Sequence, residues 1–355
     1  MEEKLGKIDM GQYGMNDRVA ALAGMYPQWT PGRITLQEKG LYMLATAYGE
    51  KPAEVSGRFR YTADVLSDYP AVGDFVMADW NEGGRAVIHQ VLHRKSCIVR
   101  KAAGNARQEQ IVAANVDVIF LCMALNNDFS IRRLERYLSI AWDSGATPVI
   151  VLTKADLCGD LDEKRSQVED IAAGVELLVT TAMDEESCAQ VLPYAGPGRT
   201  VAFIGSSGVG KSTLINRLLG EERLNTGGLR NDDKGRHTTT HRELLLLPGG
   251  GMVIDTPGMR ELAMWDTDEG IGQAFAEIEE LAGSCRFFDC SHRNEPGCAV
   301  RKALEEGRLT EERWQSYLKL KAEAAYAEDS ESYLQAKAKK FKEIARFSRN
   351  LKKKR

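Results

Sequence analysis

The chain changes its hydrophobic pattern at about residue 110. Before that point, short segments rich in β-branched and aromatic residues are separated by turns that contain glycine. The segments lie at 33–36, 41–48, 57–61, 75–78 and 86–92. Five short strands in this part of the chain predict a small β-barrel, for which the OB type is the natural candidate. We expect the barrel at residues 32–105, after an N-terminal segment at 1–31 that shows no clear period.

Beyond residue 110, short and almost wholly apolar runs alternate with segments in which apolar residues recur at helical spacing. The apolar runs lie at 116–122, 149–152, 177–179 and 201–204, and the helical segments at 130–141 and 161–173. Strands buried on both faces of a parallel sheet have this composition, so the alternation predicts a doubly wound α/β domain, which we place at 106–270. Two more apolar runs, 244–247 and 252–254, flank a Pro-Gly-Gly-Gly turn and predict a hairpin added to that sheet.

Composition and charge narrow the class of protein. The 355 residues are 43% hydrophobic and 28% charged, which permits hydrophobic cores and excludes a wholly disordered chain or a disulfide scaffold. No run approaches the roughly 18 apolar residues of a membrane span, and the first residues do not resemble a signal peptide. We therefore expect a cytoplasmic protein without a membrane partner.

The C-terminal residues 336–355 differ in charge from the rest of the chain. They contain ten Lys or Arg and one acid, Glu343, in a chain whose net charge is −4. A basic end on an acidic body is typical of a protein that contacts a polyanion such as RNA. A solvated helix end is the alternative.

Residues 205–212 match the pattern Gly-x4-Gly-Lys-Ser, between the apolar run 201–204 and a predicted helix at 212–219. Glycines let backbone N–H groups surround a phosphate, Lys211 can bridge the β- and γ-phosphates, and Ser212 can bind Mg²⁺. The predicted contacts are Gly205, Ser206, Ser207, Gly208, Val209, Gly210, Lys211, Ser212 and Thr213.

Two later segments can complete such a site. Asp255 ends the run 252–254 and opens Asp-Thr-Pro-Gly, so its carboxylate can hold the Mg²⁺ shell while the N–H of Gly258 contacts a γ-phosphate. The polar stretch 235–240 contains Thr238 and Thr239 as further candidate Mg²⁺ ligands. A plain hydrogen-bonded loop is the alternative for this stretch.

Base recognition is predicted at the ends of two apolar runs. The candidate contacts are Thr153, Lys154 and Asp156 after the run 149–152, and Thr181 and Ala182 after the run 177–179. A carboxylate such as Asp156 can accept hydrogen bonds from guanine N1–H and from the exocyclic amine, which adenine does not offer. Lys154 can lie along the base, and the N–H near Ala182 can meet the guanine oxygen. Guanine is therefore the predicted base.

A metal site is predicted near the C-terminus. Cys285, Cys290, His292 and Cys298 lie within 14 residues. Thiolate sulfur and imidazole nitrogen suit tetrahedral Zn²⁺, and four protein ligands leave no position for water, so the ion would be structural. Three reduced cysteines beside a surface histidine are the alternative.

The order of the nucleotide motifs is unusual, because the base motifs precede the phosphate loop. With the 235–240 stretch, the 255–258 tetrapeptide and the Cys/His cluster, this order resembles the RsgA (YjeQ) family of circularly permuted GTPases over residues 30–325. The resemblance implies an OB barrel, a permuted P-loop GTPase domain, a mostly helical zinc domain at 271–325 and a basic helix or tail at 326–355. It also implies late-stage binding to the small ribosomal subunit and its rRNA, with hydrolysis stimulated by the subunit. We expect a monomer that binds GTP and GDP.

Two positions depart from common GTPases. Thr153 stands where many GTPases have Asn, whose amide contacts a threonine cannot copy, and Met259 stands where Ras-like proteins have the glutamine that orients water. We expect His237 to orient the attacking water instead, a role that the resembled family is thought to give its corresponding histidine, while Lys211 neutralises phosphate charge. His237 contacting RNA or steadying its loop is the alternative. For the whole chain, the alternatives are an RNA-binding module with GTP as a static ligand, and a P-loop ATPase or kinase.

Overall fold

The computed structural model describes residues 8–38, 40–81, 83–102, 105–224, 242–255 and 268–324. The N-terminal part contains helices and strands in the following order: α1 (Asp17–Gly24), β1 (Thr30–Glu38), β2 (Leu41–Thr46), β3 (Gly49–Val55), α2 (Gly57–Thr62), β4 (Phe75–Asp79) and β5 (Ala86–Val91).

The strands β1 to β5 form a closed barrel. Their order is β1-β2-β3-β5-β4, and β4 pairs back onto β1 through partners such as Gly32 and Val76. All these pairings are antiparallel except that of β3 with β5. Ile34, Leu44 and Ile88 are fully buried, and closure leaves these five strands without a free barrel edge. The predicted OB-type barrel is confirmed.

One predicted barrel strand is wrong. Residues 57–61 form the helix α2, because the hydroxyl oxygen of Ser56 accepts a hydrogen bond from the N–H of Phe59 at 3.0 Å and caps the helix. The strand lies earlier, at β3, which includes residues 49–52 that resemble a turn. Pro52 is tolerated there because β3 starts to pair with β5 only at Ala53.

A hairpin of β6 (Cys97–Ala102) and β7 (Asn105–Ala114) leads into the α/β part. The α/β elements are β8 (Val118–Ala124), α3 (Ile131–Ser144), β9 (Thr147–Thr153), α4 (Leu161–Ile171), β10 (Glu176–Val179), α5 (Glu185–Ala189), β11 (Thr200–Ile204), α6 (Lys211–Leu219), β12 (Arg242–Leu246) and β13 (Met252–Asp255). The predicted limit between residues 105 and 106 lies inside the β6–β7 hairpin and stays a prediction.

The α/β sheet has the order β10-β9-β8-β11-β13-β12. The pairings from β10 to β13 are parallel, and β12 joins β13 as the predicted antiparallel hairpin. Parallel strands end at one edge of a sheet, so the segments that follow β8, β9, β10 and β11, and the last residue of β13, lie at that edge. All the predicted nucleotide motifs except 235–240 follow one of these strands.

The barrel and the α/β sheet are joined by backbone and side-chain contacts. Strand β1 pairs with β12 through Leu36 with Glu243 and Gln37 with Arg242, so the two sheets form one 11-stranded sheet. Arg33 of β1 is 1% exposed. Its guanidinium donates to the carbonyl of Tyr13, the hydroxyl of Thr200 and the sulfur of Met252.

Helices dominate the C-terminal part. They are α7 (Asp268–Ala274), α8 (Ala276–Gly283), α9 (Ala299–Glu305) and α10 at 311–324. Buried Glu135 of α3 attaches α10, because it accepts hydrogen bonds from Arg313 Nη1 and Ser316 Oγ, both at 2.6 Å. None of the helices in the described residues is long and apolar enough to cross a membrane.

Candidate functional site

The phosphate loop at 205–210 connects β11 with α6. A Cβ on Gly205 would lie 2.6 Å from the carbonyl oxygen of Cys122 in β8, and Gly210 has a φ of +114° that side chains disfavour. Glycine is therefore required at both positions. Burial raises the pKa of the Cys122 thiol to about 12, so the side chain beside the loop is neutral.

Lys211 begins α6 and turns back over the loop. Its Nζ donates to the carbonyl oxygens of Gly205 at 2.5 Å and Ser206 at 2.7 Å. Ser212 and Thr213 follow in the first turn of the helix, whose N-terminus carries positive potential. The loop, the helix end and the ammonium group thus form one concentrated positive region, as phosphate binding requires.

Thr153 connects the base motif with the phosphate loop. It is buried at the end of β9, and its Oγ1 donates a 2.5 Å hydrogen bond to the carbonyl oxygen of Val209. A threonine at this position therefore fixes the phosphate loop directly, although it cannot supply an amide. The next residue, Lys154, has a φ of +58°, a conformation that directs the chain sharply out of the strand.

The two predicted base motifs lie side by side. The N–H of Ala155 donates to the carbonyl of Thr180, and Thr181 Oγ1 donates to Asp156 Oδ1 at 2.5 Å. Ala182 follows at the same edge of the sheet. Thr181 thereby holds one oxygen of the Asp156 carboxylate, and among the described residues no hydrogen bond reaches the other oxygen, which can accept from a base.

Asp255 is the last residue of β13. Its neighbour Ile254 pairs with Ala202 of β11, so Asp255 lies beside the end of the strand from which the phosphate loop starts. This position suits a ligand in the shell of a phosphate-bound Mg²⁺. The predicted site residues His237, Thr238, Thr239 and Gly258 lie outside the described residues.

Two charged residues that the sequence analysis missed contact the phosphate loop. Asp128 lies in the loop between β8 and α3, and Arg133 in the first turns of α3. Ser206 Oγ donates to Asp128 Oδ2 at 2.5 Å, and Arg133 Nη1 lies 2.8 Å from Asp128 Oδ1 and 3.0 Å from Ser206 Oγ. The available signal was the position of Asn126-Asn127-Asp128 directly after a buried strand.

The four predicted zinc ligands meet at one point. Their ligand atoms all lie within 4.8 Å of one another, with Cys285 Sγ 3.9 Å from Cys298 Sγ and each of these sulfurs 3.5 Å from His292 Nδ1. A tetrahedral Zn²⁺ with bonds of about 2.3 Å needs sulfur atoms about 3.8 Å apart. The residues therefore fit zinc.

Comparison with known proteins identifies the family. The family model described as RsgA GTPase matches residues 91–265. A Lactiplantibacillus plantarum protein named small ribosomal subunit biogenesis GTPase RsgA 2 is 49% identical over 90% of this chain and 90% of its own. The chain belongs to the RsgA GTPase family. An RsgA protein of Oceanobacillus iheyensis, named small ribosomal subunit biogenesis GTPase RsgA 1, is 48% identical over 88% of this chain and 91% of its own.

Solved structures of RsgA relatives agree with the fold. YjeQ from Thermotoga maritima aligns with a TM-score of 0.62 and 28% identity over 83% of this chain and 98% of its own. YloQ, described as a circularly permuted GTPase, aligns with a TM-score of 0.59 and 26% identity over 84% and 95%. The chain is a GTPase of this permuted fold, and the alternative of a P-loop ATPase or kinase is excluded.

Proposed function

We propose that this GTPase binds the small ribosomal subunit and hydrolyses GTP as a switch in the late assembly of that subunit. The observation that supports the proposal is the 2.5 Å bond from Thr153 to the carbonyl of Val209, which joins the segment predicted to recognise the base to the predicted phosphate loop. The names of the two relatives above support the choice of partner. We expect a monomer that acts on ribosomal particles in the cytoplasm.

The nucleotide would be held from two sides. Asp156, Lys154 and the 181–182 segment would contact the guanine, and residues 205–213 the phosphates. Ser212 and Asp255, with Thr238 or Thr239, would hold Mg²⁺, which when bound neutralises charge on the β- and γ-phosphates. Lys211 would add a positive charge at the oxygens where charge develops during transfer.

The zinc site would stabilise the C-terminal part. With Cys285, Cys290, His292 and Cys298 as ligands, Zn²⁺ would fix the loop between Cys285 and Cys298 against α9 and α10. His292 already lies edge-on to Trp314 of α10, with ring centroids 5.7 Å apart. Together with the barrel and the basic residues 336–355, this part would contact rRNA.

The decisive experiment measures phosphate release from GTP with purified small subunits, large subunits and neither. We expect stimulation by small subunits alone, and Lys211→Ala should abolish nucleotide binding and turnover together. An RNA-binding module with static GTP predicts instead that GTP binds without stimulated release. That result would reject the switch.

The role of His237 has a separate test. If His237 orients the attacking water, His237→Ala should lose subunit-stimulated turnover while GTP affinity stays intact. His241→Ala, four residues further along the chain, is the matched control and should keep stimulated turnover. Unchanged stimulation in His237→Ala would exclude the catalytic role.

A further inference from the structure

Asp128 presents a negative charge to a loop that would bind a triphosphate. Partial burial raises the pKa of Asp128, but hydrogen bonds from Ser206 and Arg133 lower it more, so the pKa lies below its ordinary value. The carboxylate is therefore ionised at neutral pH. An isolated anion in this position would repel the phosphates.

The carboxylate nevertheless has a structural use. It accepts the hydroxyl hydrogen of Ser206, the second residue of the phosphate loop, at 2.5 Å. Its own position is fixed, because its backbone N–H donates to Asn126 Oδ1 at 3.1 Å. The bond thus anchors the start of the phosphate loop to the segment that follows β8.

Arg133 compensates for the charge. One nitrogen, Nη1, lies within hydrogen-bond distance of both Asp128 and Ser206. Both charged side chains are about two-thirds shielded from solvent, at 32% and 40% exposure, which strengthens their pairing relative to a fully exposed ion pair. The three side chains form a closed triangle, which we call the Asp128–Arg133–Ser206 triangle.

We propose that Arg133 is a positioning residue for nucleotide binding: it neutralises Asp128, so that the Ser206–Asp128 bond can hold the phosphate loop without repelling the phosphates. This inference rests on the phosphate site proposed at residues 205–213. It adds a charge-compensating residue, Arg133 of α3, which lies 73 positions before Ser206 in the chain.

The charge-compensation role predicts opposite effects for the two charged partners. Arg133→Ala leaves an uncompensated carboxylate and should weaken GTP binding by about tenfold, with a smaller loss for GDP, which carries less charge. Asp128→Asn leaves an uncompensated arginine and should bind GTP as well as the wild type or more tightly. The double variant Asp128→Asn/Arg133→Ala should regain most of the affinity lost in Arg133→Ala.

The readout is the dissociation constant of GTP and of GDP, measured by calorimetry at low and high salt. The deficit of Arg133→Ala should shrink as salt rises, because screening weakens charge repulsion. Arg133→Lys keeps the charge and should stay within about threefold of the wild type. Arg132→Ala, an exposed neighbour, is the matched control, and thermal unfolding of each variant checks its fold.

The outcomes separate this inference from the proposed site. If Lys211→Ala binds GTP like the wild type, the phosphate site itself is wrong. If Lys211→Ala loses GTP while Arg133→Ala matches the wild type, only the role of Arg133 is wrong. If both single variants weaken binding and the double variant recovers nothing, the triangle is merely structural and charge compensation is rejected.

Discussion

Asp156→Asn provides a sharp test of base recognition. In the structure, Thr181 Oγ1 donates to Asp156 Oδ1. When an asparagine keeps its oxygen towards this hydroxyl, its amide NH₂ replaces the second carboxylate oxygen at the base edge. A donor would face the donors of guanine. Xanthine, which has an oxygen in place of the 2-amine, offers an acceptor there.

The size of the effect follows from the hydrogen bonds that change. One charge-assisted bond, which contributes about 1.5–3 kcal/mol, is lost, and the two donors that face each other cost a further 1–3 kcal/mol or so once the bound base covers them. Because about 1.4 kcal/mol corresponds to a factor of ten, GTP affinity should fall by a factor of about 100 to 10,000. The affinity for xanthosine triphosphate should rise.

Calorimetric titration of GTP, xanthosine triphosphate and ATP against the wild type and Asp156→Asn measures this change. Asp162→Asn makes the same chemical substitution at an exposed position in α4 and should leave all three affinities unchanged. GTP binding by Asp156→Asn within threefold of the wild type would refute the reasoning. An equal loss in Asp162→Asn would show that the effect is not local to the base site.

Three further predictions concern stability. Removing metal with a chelator should change the fluorescence of Trp314, which contacts His292. It should also make residues 271–324 sensitive to protease, because metal binding contributes to the free energy of folding. Unchanged emission and digestion would contradict a structural ion. Arg33→Met leaves several buried acceptors unpaired and should lower the free energy of unfolding, measured in urea, by about 3 kcal/mol or more. The control Arg58→Met, at an exposed position, should lower it by only about 0.5 kcal/mol. Equal losses in the two variants would refute this prediction. Glu135→Ala removes the buried acceptor of Arg313 and Ser316, while Arg313 keeps its contact with Glu277. It should lower the free energy of unfolding by about 1.5–3 kcal/mol, with Glu135→Gln less damaging, and a thermal midpoint of Glu135→Ala equal to that of the wild type would contradict this.

Local patterns account for most of what the sequence predicts. The runs at 149–152 and 201–204 are strands because they are buried on both faces, and the phosphate loop is recognisable because its glycines meet local backbone demands. The strand predicted at 57–61 is wrong for an equally local reason. Its alternating aromatic residues favour a strand, but the cap at Ser56 stabilises a helix.

Contacts between distant segments could not be predicted. The Asp128–Arg133–Ser206 triangle depends on β8 lying beside β11, which is a property of the strand order and not of either segment. The bond from Thr153 to Val209 joins residues 56 positions apart. Sequence alone indicates a missing amide at Thr153, whereas only the packing shows that a hydroxyl reaches the loop.

The pairing of β1 with β12 has a consequence for the solubility of the separate parts. Without β1, strand β12 would be the outermost strand of the α/β sheet and would expose unpaired N–H and C=O groups. Such a strand is a template for pairing with another molecule and leads to aggregation. Although only two residue pairs make the contact, the barrel protects the nucleotide-binding half from self-association through this edge.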